Sequence, residues 1–342
     1  MMRPVARYWG RKPIEVVRRF IQDTDSVIVD PFGGSGAIIS EALGIGKRGI
    51  YVDLNPYAWL IAHVQIAGAP TKEFAKASGE VIERAMRLES DVKDVDLPGD
   101  WLFYGDGKPF LKRRNFDRVS QFFPRESLRR LRALLMAIDY TNTSSNTKLA
   151  LYLSFANALY PSSFMNRRGA GSWGVPSYWA PSVSSPMDAY EVFRRATRRM
   201  LVFLRRIRTY SVCYSLDCDA EARLILGDAN EVDYDPEWTL ITDPPFTDEV
   251  QYMELSFFYW VWLRISELPN MMRELLGRDV EYSFERELVI NPRRGVQMAQ
   301  YLDRLGEFLS RTANLRRRIL IFHEESEKRL NRVRELVRRF WG

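Results

Sequence analysis

Two segments constrain the fold of this chain more than any others: VIVDPFGGSG at residues 27–36 and TLITDPPF at residues 239–246. Each is an apolar run of β-type residues that ends in an acidic residue, and a turn rich in proline or glycine follows at once. In an open α/β sheet, the groups that bind ligands lie at the carboxyl ends of the strands. The two segments therefore predict two strands of one sheet, each followed by a functional turn.

Hydrophobic periodicity around the first segment predicts a βαβ unit. Residues 27–29 form a short apolar run, residues 37–43 have helical spacing, and residues 49–52 form a second run that ends at Asp53. The same alternation returns late in the chain, where three further strands are predicted at residues 222–226, 239–242 and 318–322. We therefore expect an α/β fold, with a Rossmann-like sheet built from both ends of the chain.

The middle of the chain interrupts this alternation. Helices are predicted at residues 123–140, 148–159 and 187–208, with no strand pattern between them. We expect residues 1–70 and 211–342 to form the α/β domain, and residues 71–210 to form a mostly helical insertion.

Charge is concentrated in this middle part. Residues 101–210 contain 19 Lys and Arg against 6 Asp and Glu, which is a net charge of +13. The whole chain has a formal net charge of +6, so the remainder carries −7. Only 9 of the 50 basic residues are Lys, and the planar guanidinium of arginine suits phosphates and base edges. The segment is therefore predicted to bind a polyanion, although an arginine-favouring genome accounts for part of the composition.

Two parts of the basic segment supply candidate contacts to nucleic acid. Residues 162–186 lack periodicity and mix charged with aromatic side chains, a combination that binds flipped or single-stranded bases. The helix at residues 187–208 carries arginine pairs beside its apolar face. Packing within the insertion and a solvated helix face are the structural alternatives. The candidates are Asn166, Arg167, Arg168, Trp173, Tyr178, Arg194, Arg195 and Arg198.

The first turn has features of a site for a nucleoside-containing cofactor. Its glycines let the backbone approach a ligand where a side chain would collide. The turn lacks the GxGxxG spacing of dinucleotide sites, and no Gly-Lys-Ser/Thr follows to make a phosphate-binding loop. Asp53, at the end of the next strand, is placed to accept hydrogen bonds from ribose hydroxyls, and Asp228 could accept one from an adenine amino group.

The second turn, Asp243-Pro244-Pro245-Phe246, suits a flat substrate that bears an amine. An exocyclic amine of a base is a poor nucleophile because its lone pair is delocalised into the ring. A carboxylate and a backbone carbonyl that accept its two N–H groups localise this lone pair, and prolines supply a carbonyl without a competing donor. An aromatic ring at the fourth position can stack on the base. Positioning and charge stabilisation then suffice, without a nucleophilic cysteine or a metal.

With these motifs the chain resembles amino-group DNA methyltransferases of the adenine-N6/cytosine-N4 type, in particular the adenine-specific DNA methylases. The resemblance implies a class I fold that binds S-adenosyl-L-methionine, and transfer of its methyl group to a base in DNA. The Asp at the start of the catalytic motif is similar to that of enzymes acting on adenine N6. The implied catalytic residues are Asp243, Pro244, Pro245 and Phe246. The implied cofactor-binding residues are Lys12 and Pro13, within a motif at residues 7–13, then Asp30, Pro31, Phe32, Gly33, Gly34, Ser35, Gly36, Asp53 and Asp228.

Two alternatives stay open at this point. Enzymes that methylate amino groups of structured RNA have closely similar catalytic motifs, so rRNA or tRNA is an alternative partner to DNA. This family also adds a β-hairpin where residues 323–342 form a single predicted helix. A protein that binds cofactor and nucleic acid without turnover is therefore the other alternative.

Composition excludes several further classes. No apolar run reaches membrane-spanning length, and the amino terminus lacks the apolar core of a signal peptide. Cys213 and Cys218 do not have the spacing of a usual metal pair, so we expect reduced thiols in a cytoplasmic protein and no metal site. His63 and His323 are isolated in sequence, and a core or capping role is expected for each.

Overall fold

The structure, a computed structural model, describes residues 5–6, 8–9, 14–24, 27–93, 95–110, 114–167, 178–245, 248, 250–322, 324 and 326–342. These residues form six strands: β1 (Ile28–Asp30), β2 (Gly49–Asp53), β3 (Val212–Cys213), β4 (Ala222–Leu226), β5 (Thr239–Thr242) and β6 (Arg317–Leu320). They also form eleven α-helices: α1 (Ile14–Gln22), α2 (Ala37–Gly44), α3 (Pro56–Ala67), α4 (Thr71–Leu88), α5 (Arg125–Asp139), α6 (Ser145–Leu159), α7 (Ala189–Leu204), α8 (Tyr252–Leu263), α9 (Leu268–Leu276), α10 (Met298–Arg311) and α11 (Glu327–Trp341).

The chain divides into two compact units, which we name by their content. The α/β unit comprises Tyr8–Ile66, Thr209–Met253 and Glu281–Gly342, and the helical unit comprises Met1–Arg7, Ala67–Arg208 and Glu254–Val280. The sequence placed the boundaries of the insertion at residues 71 and 210, close to those observed. It assigned residues 254–280 to the α/β domain, whereas they cluster with the helical unit.

The described residues of the α/β unit form a parallel six-stranded sheet with the order β3-β4-β2-β1-β5-β6. The central strand is β1, in which Val29 is in register with Ile50 of β2 on one side and Leu240 of β5 on the other. Parallel sheets are covered on both faces, so their strands are near-continuous apolar runs. The α/β fold and the strands at residues 28–30, 49–53, 222–226 and 239–242 confirm the sequence prediction at this level.

The direction in which strands are added reverses between β1 and β5. The chain goes from β1 to β2 and later β4 on one side, and then crosses to β5 and β6 on the other. Ligands of such sheets bind outside the carboxyl ends of the strands at this point. The acidic residues predicted to end strands all lie at this edge: Asp30 ends β1, Asp53 ends β2, Asp228 follows β4 and Asp243 follows β5.

A hydrophobic core fixes the sheet against α10. Val29, Val52 and Leu240 from three adjacent strands share one buried cluster with Leu305 and Phe308 of α10. The helix is amphipathic, and Gln297 and Gln300 form a capping box at its start. Packing of its apolar face therefore holds the carboxyl ends of the strands in fixed positions relative to the loop before α10.

The helical unit is a bundle in which α4, α5, α6 and α7 pack against one another. Almost every side chain of α6 is buried, whereas α4, α5 and α7 are amphipathic and expose their charged faces. Bulky side chains of α8, among them Phe258 and Trp262, pack on Phe123 within this unit. Such large aromatic surfaces explain why residues 254–280 cluster with the helices.

The helices at residues 125–139, 145–159 and 189–204 confirm three sequence predictions, but the expected start of the last one was too early. Its amino-terminal cap is Asp188, whose side chain accepts a hydrogen bond from the Glu191 amide at 2.9 Å. Across the described parts of both units, no helix has both the length and the apolar character needed to traverse a bilayer.

The expectation of two reduced thiols is wrong. Cys213, at the end of β3, forms a disulfide with Cys218, and their Cα atoms lie 6.3 Å apart. The chain turns back on itself after β3, which brings the two side chains within bonding reach. Cytoplasmic location was argued in part from those thiols and stays a prediction.

We expect the native chain to resist thiol alkylation until it is reduced. Without reductant an alkylating reagent should leave the intact mass unchanged, and after reduction it should add two groups. Because the bridge closes a loop with a sequence separation of 5 residues, its loss should lower the free energy of unfolding by about 2 kcal/mol. A Cys213→Ser variant, which leaves one reactive thiol, is the control. Modification of the unreduced native chain at both cysteines would contradict the disulfide.

Candidate active site

One cleft lies at the carboxyl ends of the central strands, and residues of the α/β unit alone line it. It encloses about 1060 Å³, counting the part open to solvent. Both sequence motifs contribute to its walls, because β1 and β5 are hydrogen-bonded neighbours and their turns emerge side by side. The predicted residues that line it are Asp30, Pro31, Phe32, Gly33, Gly34, Ser35, Asp53, Asp228, Asp243 and Pro245.

The turn after β1 is close-packed at its glycines. A Cβ on Gly33 would lie 2.3 Å from the ring of Tyr51, and one on Gly34 would lie 3.0 Å from the ring of Tyr8. Gly34 and Gly36 have φ values of 51° and 78°, in the left-handed region that glycine adopts without strain. Gly36 caps α2, and a Cβ there would lie 2.9 Å from the methyl group of Ala62. At these three glycines, a larger residue is thus disfavoured by lack of space, and at Gly34 and Gly36 also by the backbone conformation.

Asp53 ties the turn to the end of β2. Its Oδ2 accepts a hydrogen bond from the Gly34 amide at 2.7 Å, and its Oδ1 accepts one from the Asn55 amide at 2.8 Å. Burial raises the pKa of Asp53 to about 6, although these two hydrogen bonds act in the opposite direction and lower it. A carboxylate has about four lone-pair positions, so Asp53 can still accept hydrogen bonds from a ligand.

Asp30 connects the two motifs directly. Its Oδ1 accepts a hydrogen bond from the Thr242 hydroxyl at 2.7 Å, which joins the end of β1 to the end of β5. The Phe32 amide also donates to this oxygen, at 3.4 Å. Burial raises the pKa of Asp30 to about 8, and the nearby charge of Asp243 acts in the same direction. Asp30 therefore keeps its proton near neutral pH.

Asp228 is held by two arginines that the sequence analysis did not identify. Its Oδ2 accepts from Arg286 Nε at 3.3 Å and lies 3.4 Å from Arg304 Nη2, while its Oδ1 accepts from the Asn230 amide at 2.9 Å. Arg304 also donates to the backbone carbonyls of Glu285 and Arg286. One guanidinium thus fastens the loop before α10 to the acid at the end of β4. Neither arginine belongs to a recognisable motif in the sequence, so no signal in the sequence would have identified them.

The second motif begins at Asp243, directly after β5, and Asp243 and Pro245 face the cleft. The Pro245 carbonyl accepts a hydrogen bond from the Tyr301 hydroxyl at 3.1 Å, so α10 supports the turn from behind. Pro244 is buried. Phe246, Lys12 and Pro13, which the sequence also assigned to this site, lie outside the described residues.

Aromatic residues close another wall of the cleft. Tyr8 and Tyr252 stack with ring centroids 5.6 Å apart, and both line the cleft together with Trp9. Burial raises the pKa of Tyr8 well above its usual value. Tyr8 and Trp9 belong to the amino-terminal motif on which the resemblance was based, whereas Tyr252 begins α8. Glu287 lines the cleft next to these rings, and its Oε1 accepts a hydrogen bond from the Met253 amide at 3.1 Å.

The residues predicted to contact nucleic acid belong to the helical unit, and not all of them are exposed as the prediction requires. Tyr178 is buried, and its hydroxyl donates to the Glu254 carbonyl and accepts from the Phe258 amide, so it has no free face on which a base could stack. Asn166 Nδ2 donates to the Ser185 carbonyl at 2.7 Å and holds its own loop. Tyr178 is therefore corrected to a structural role, whereas the assignment of Asn166 stays a prediction.

The arginines of that set divide into two groups. Arg194 is paired with Glu191 at 2.7 Å, which neutralises its charge locally. Arg195 and Arg198 are exposed on the same helix and line a groove of the helical unit, and Arg167 lies at the edge of the preceding loop. Arg168 and Trp173 lie outside the described residues.

His63 has the core role expected for it. It is buried in α3, where Nε2 shares a hydrogen bond of 2.9 Å with the Tyr214 hydroxyl and the ring stacks on Tyr214. Burial lowers the pKa of His63 to about 4, so it is neutral at physiological pH. His323 lies outside the described residues. Within the described ranges, no group of three or more His, Cys, Asp or Glu side chains is arranged to hold a metal ion.

Gly33→Ala should destabilise the protein by about 1–3 kcal/mol, because its methyl group must displace the buried Tyr51 ring. The measurement is the midpoint of thermal or urea unfolding. Gly44→Ala is the matched control, since a Cβ at Gly44 meets nothing within 4 Å and alanine favours the helix. Equal midpoints for the two variants would contradict the packing described for the turn.

Asp30 should make the unliganded protein less stable as the pH rises. The folded state keeps this proton up to about pH 8, whereas the unfolded chain loses it near pH 4, so unfolding becomes easier across about pH 4–8. In Asp30→Asn the difference in unfolding free energy between pH 5 and pH 8 should shrink by on the order of a few kcal/mol. Urea titrations at both pH values measure it. Asp233→Asn, at a fully exposed side chain, should keep the wild-type difference; an unchanged difference in Asp30→Asn would refute the assignment.

Comparison with known proteins does not assign the chain to a family. No protein-family model matches the chain, and no curated protein matches it either. The function is therefore argued from the geometry of the cleft and the chemistry of the residues around it.

Proposed function

We propose that the cleft of the α/β unit binds S-adenosyl-L-methionine and that the protein transfers its methyl group to the exocyclic amino group of a base in DNA, adenine N6 being the first candidate. One observation carries the proposal: the glycine turn after β1 and the Asp-Pro-Pro turn after β5 border the same cleft, at the point where the strand order reverses. The two turns that would hold the cofactor and the target amine thus border one cavity.

The first support is the fit of the cleft to a nucleoside. The turn at Gly33 and Gly34 leaves only backbone on one side, and Asp53 presents a carboxylate fixed by two amides beside it. These are the groups that would hold the ribose and the adjoining chain of the cofactor. The stacked rings of Tyr8 and Tyr252 add apolar surface to the lining of the same cleft.

The second support is electrostatic. S-adenosylmethionine has two positive groups, a sulfonium and an ammonium, and a single carboxylate. Of the described residues that line the cleft, five carry carboxyl groups against the guanidinium groups of Arg286 and Arg304. A cationic ligand favours the ionised forms of buried carboxyl groups and offsets their desolvation. The five are Asp30, Asp53, Asp228, Asp243 and Glu287.

The third support is the chemistry of the second motif. The bound cofactor supplies an electrophilic methyl group. Asp243 and a carbonyl of the Pro244–Pro245 turn would accept the two N–H groups of the target amine, which localises the nitrogen lone pair for attack. The Tyr301 hydrogen bond to the Pro245 carbonyl holds the turn rigid, so little reorganisation is required when the base arrives.

A base stacked in a duplex cannot present its amino group to a cleft, so the substrate base must be turned out of the stack or lie in a single-stranded segment. The excess of basic residues in the helical unit gives the chain a surface for the polynucleotide. DNA is proposed on the resemblance of the motifs, while structured RNA and binding without turnover are the outcomes that the next experiment separates.

Transfer of tritium from labelled S-adenosylmethionine to DNA, rRNA and tRNA in parallel tests the proposal. We expect label in DNA, on adenine N6. Label in RNA alone would reject DNA as the substrate, and cofactor binding without label in any acceptor would support the non-catalytic alternative.

Asp243→Ala should lower the rate of transfer at least about 100-fold and leave the affinity for the cofactor within a few-fold, because the carboxylate acts on the amine. Rates come from tritium transfer and affinity from calorimetry. Asp233→Ala removes a fully exposed carboxylate upstream and should behave as the wild type. An Asp243→Ala variant that transfers methyl groups at the wild-type rate would contradict the role assigned to this residue.

A further inference from the structure

A groove of the helical unit runs beside α7. It encloses about 2250 Å³, counting the space open to solvent, and both walls and floor belong to this unit. Four arginines line it: Arg195, Arg198, Arg199 and Arg206. Each of them is exposed, so their guanidinium groups are available to a ligand.

These four arginines differ from others of the same unit by having no counter-charge. Arg130 contacts three carboxylates and Arg194 is paired with Glu191. For the four arginines of the groove, no ion pair is found with any described residue. Among the residues that the structure describes, no carboxylate therefore compensates the positive charge of these four arginines.

The spacing of the three arginines that belong to α7 makes this arrangement unfavourable for the helix on its own. Arg195 and Arg199 are one turn apart, and Arg195 and Arg198 are three residues apart, so like charges face one another along α7. Such pairs destabilise a helix by a few tenths of a kcal/mol each. An anionic ligand along the groove would relieve this repulsion.

The groove is apolar between its arginines. Val202 is 46% exposed there, and Tyr160 and Phe203 line the same space. A duplex offers phosphates to a protein surface but keeps the faces of its bases stacked inside. Unpaired bases, in contrast, gain from lying on apolar and aromatic surface while their phosphates contact cations.

We propose that this groove binds a single-stranded segment of nucleic acid, with phosphates on Arg195, Arg198, Arg199 and Arg206 and bases against the floor at Val202. The inference rests on the proposed function in assigning a surface to its polynucleotide substrate. Binding at the groove can nevertheless be measured without methyl transfer.

The test is fluorescence anisotropy of a labelled single-stranded oligonucleotide of about 12 nucleotides with the full chain, at several salt concentrations. Each phosphate contact contributes a slope of about 0.7 in log affinity against log salt, which is about five-fold in affinity at 0.1 M salt. Arg195→Ala and Arg199→Ala should therefore each lose about five-fold in affinity and about 0.7 in slope. Arg199→Lys, which keeps the charge, should keep most of the slope.

Arg87→Ala is the matched control. Arg87 is an exposed arginine on α4 of the same unit that does not line the groove, so its variant should bind as the wild type does. Circular dichroism melts verify that the variants fold. Equal losses in Arg87→Ala and Arg199→Ala would overturn the proposal, because binding would then follow total charge.

Three other outcomes would also overturn it: no binding of the oligonucleotide by the wild type, displacement by a blunt duplex as effective as by the single strand, or tighter binding of polyglutamate than of the oligonucleotide. Calorimetry with S-adenosylmethionine on the same variants keeps the two proposals separate. Loss of oligonucleotide binding with unchanged cofactor affinity supports the groove, whereas failure of the wild type to bind the cofactor rejects the proposed function and leaves the groove measurement valid.

Discussion

Two buried carboxyl groups organise the functional edge of the sheet. Asp53 binds the amide of Gly34, and Asp30 binds the hydroxyl of Thr242, so three strand ends are connected through side chains as well as through the backbone ladder. Burying such groups costs free energy, and hydrogen bonds recover part of it. Burial accordingly raises the pKa of both carboxyl groups, to about 8 for Asp30 and about 6 for Asp53. On the proposed function, the positive charges of the bound cofactor would offset this cost.

Much of the sheet could be predicted from patterns that involve only neighbouring residues. The strand, glycine turn and helix at residues 28–44 follow from an apolar run, from glycines without room for a side chain, and from helical spacing, all of which act within a few residues. The pairing of Asp228 with Arg286 and Arg304 joins residues 58 and 76 positions apart. No periodicity encodes such a contact, because it depends on how the loop before α10 returns to the sheet.

Charge composition makes a prediction about a region of the chain but not about its individual residues. The basic excess of residues 101–210 indicated a surface for polyanions, yet Arg194 is neutralised by Glu191 while its neighbour Arg195 faces a groove. A helix turns by about 100° per residue, so adjacent side chains meet different surroundings. Tyr178 illustrates the same limit: an aromatic residue in a polar stretch was assigned to the surface, but its hydroxyl is satisfied by two backbone groups of α8 in the core.

On the proposed function, the charge of the cleft also bears on turnover. Methyl transfer removes the sulfonium charge, so the demethylated product carries one positive charge less than the cofactor. Carboxylates that favour the cofactor therefore favour its product less, and the difference in binding assists exchange of product for fresh cofactor. Arg286 and Arg304 limit this effect at Asp228, since they already neutralise that carboxylate. Glu287 lies 3.7 Å from Arg294, and Asp243 is assigned to the target amine. The discrimination would then come from Asp30 and Asp53, which lie at the ends of β1 and β2.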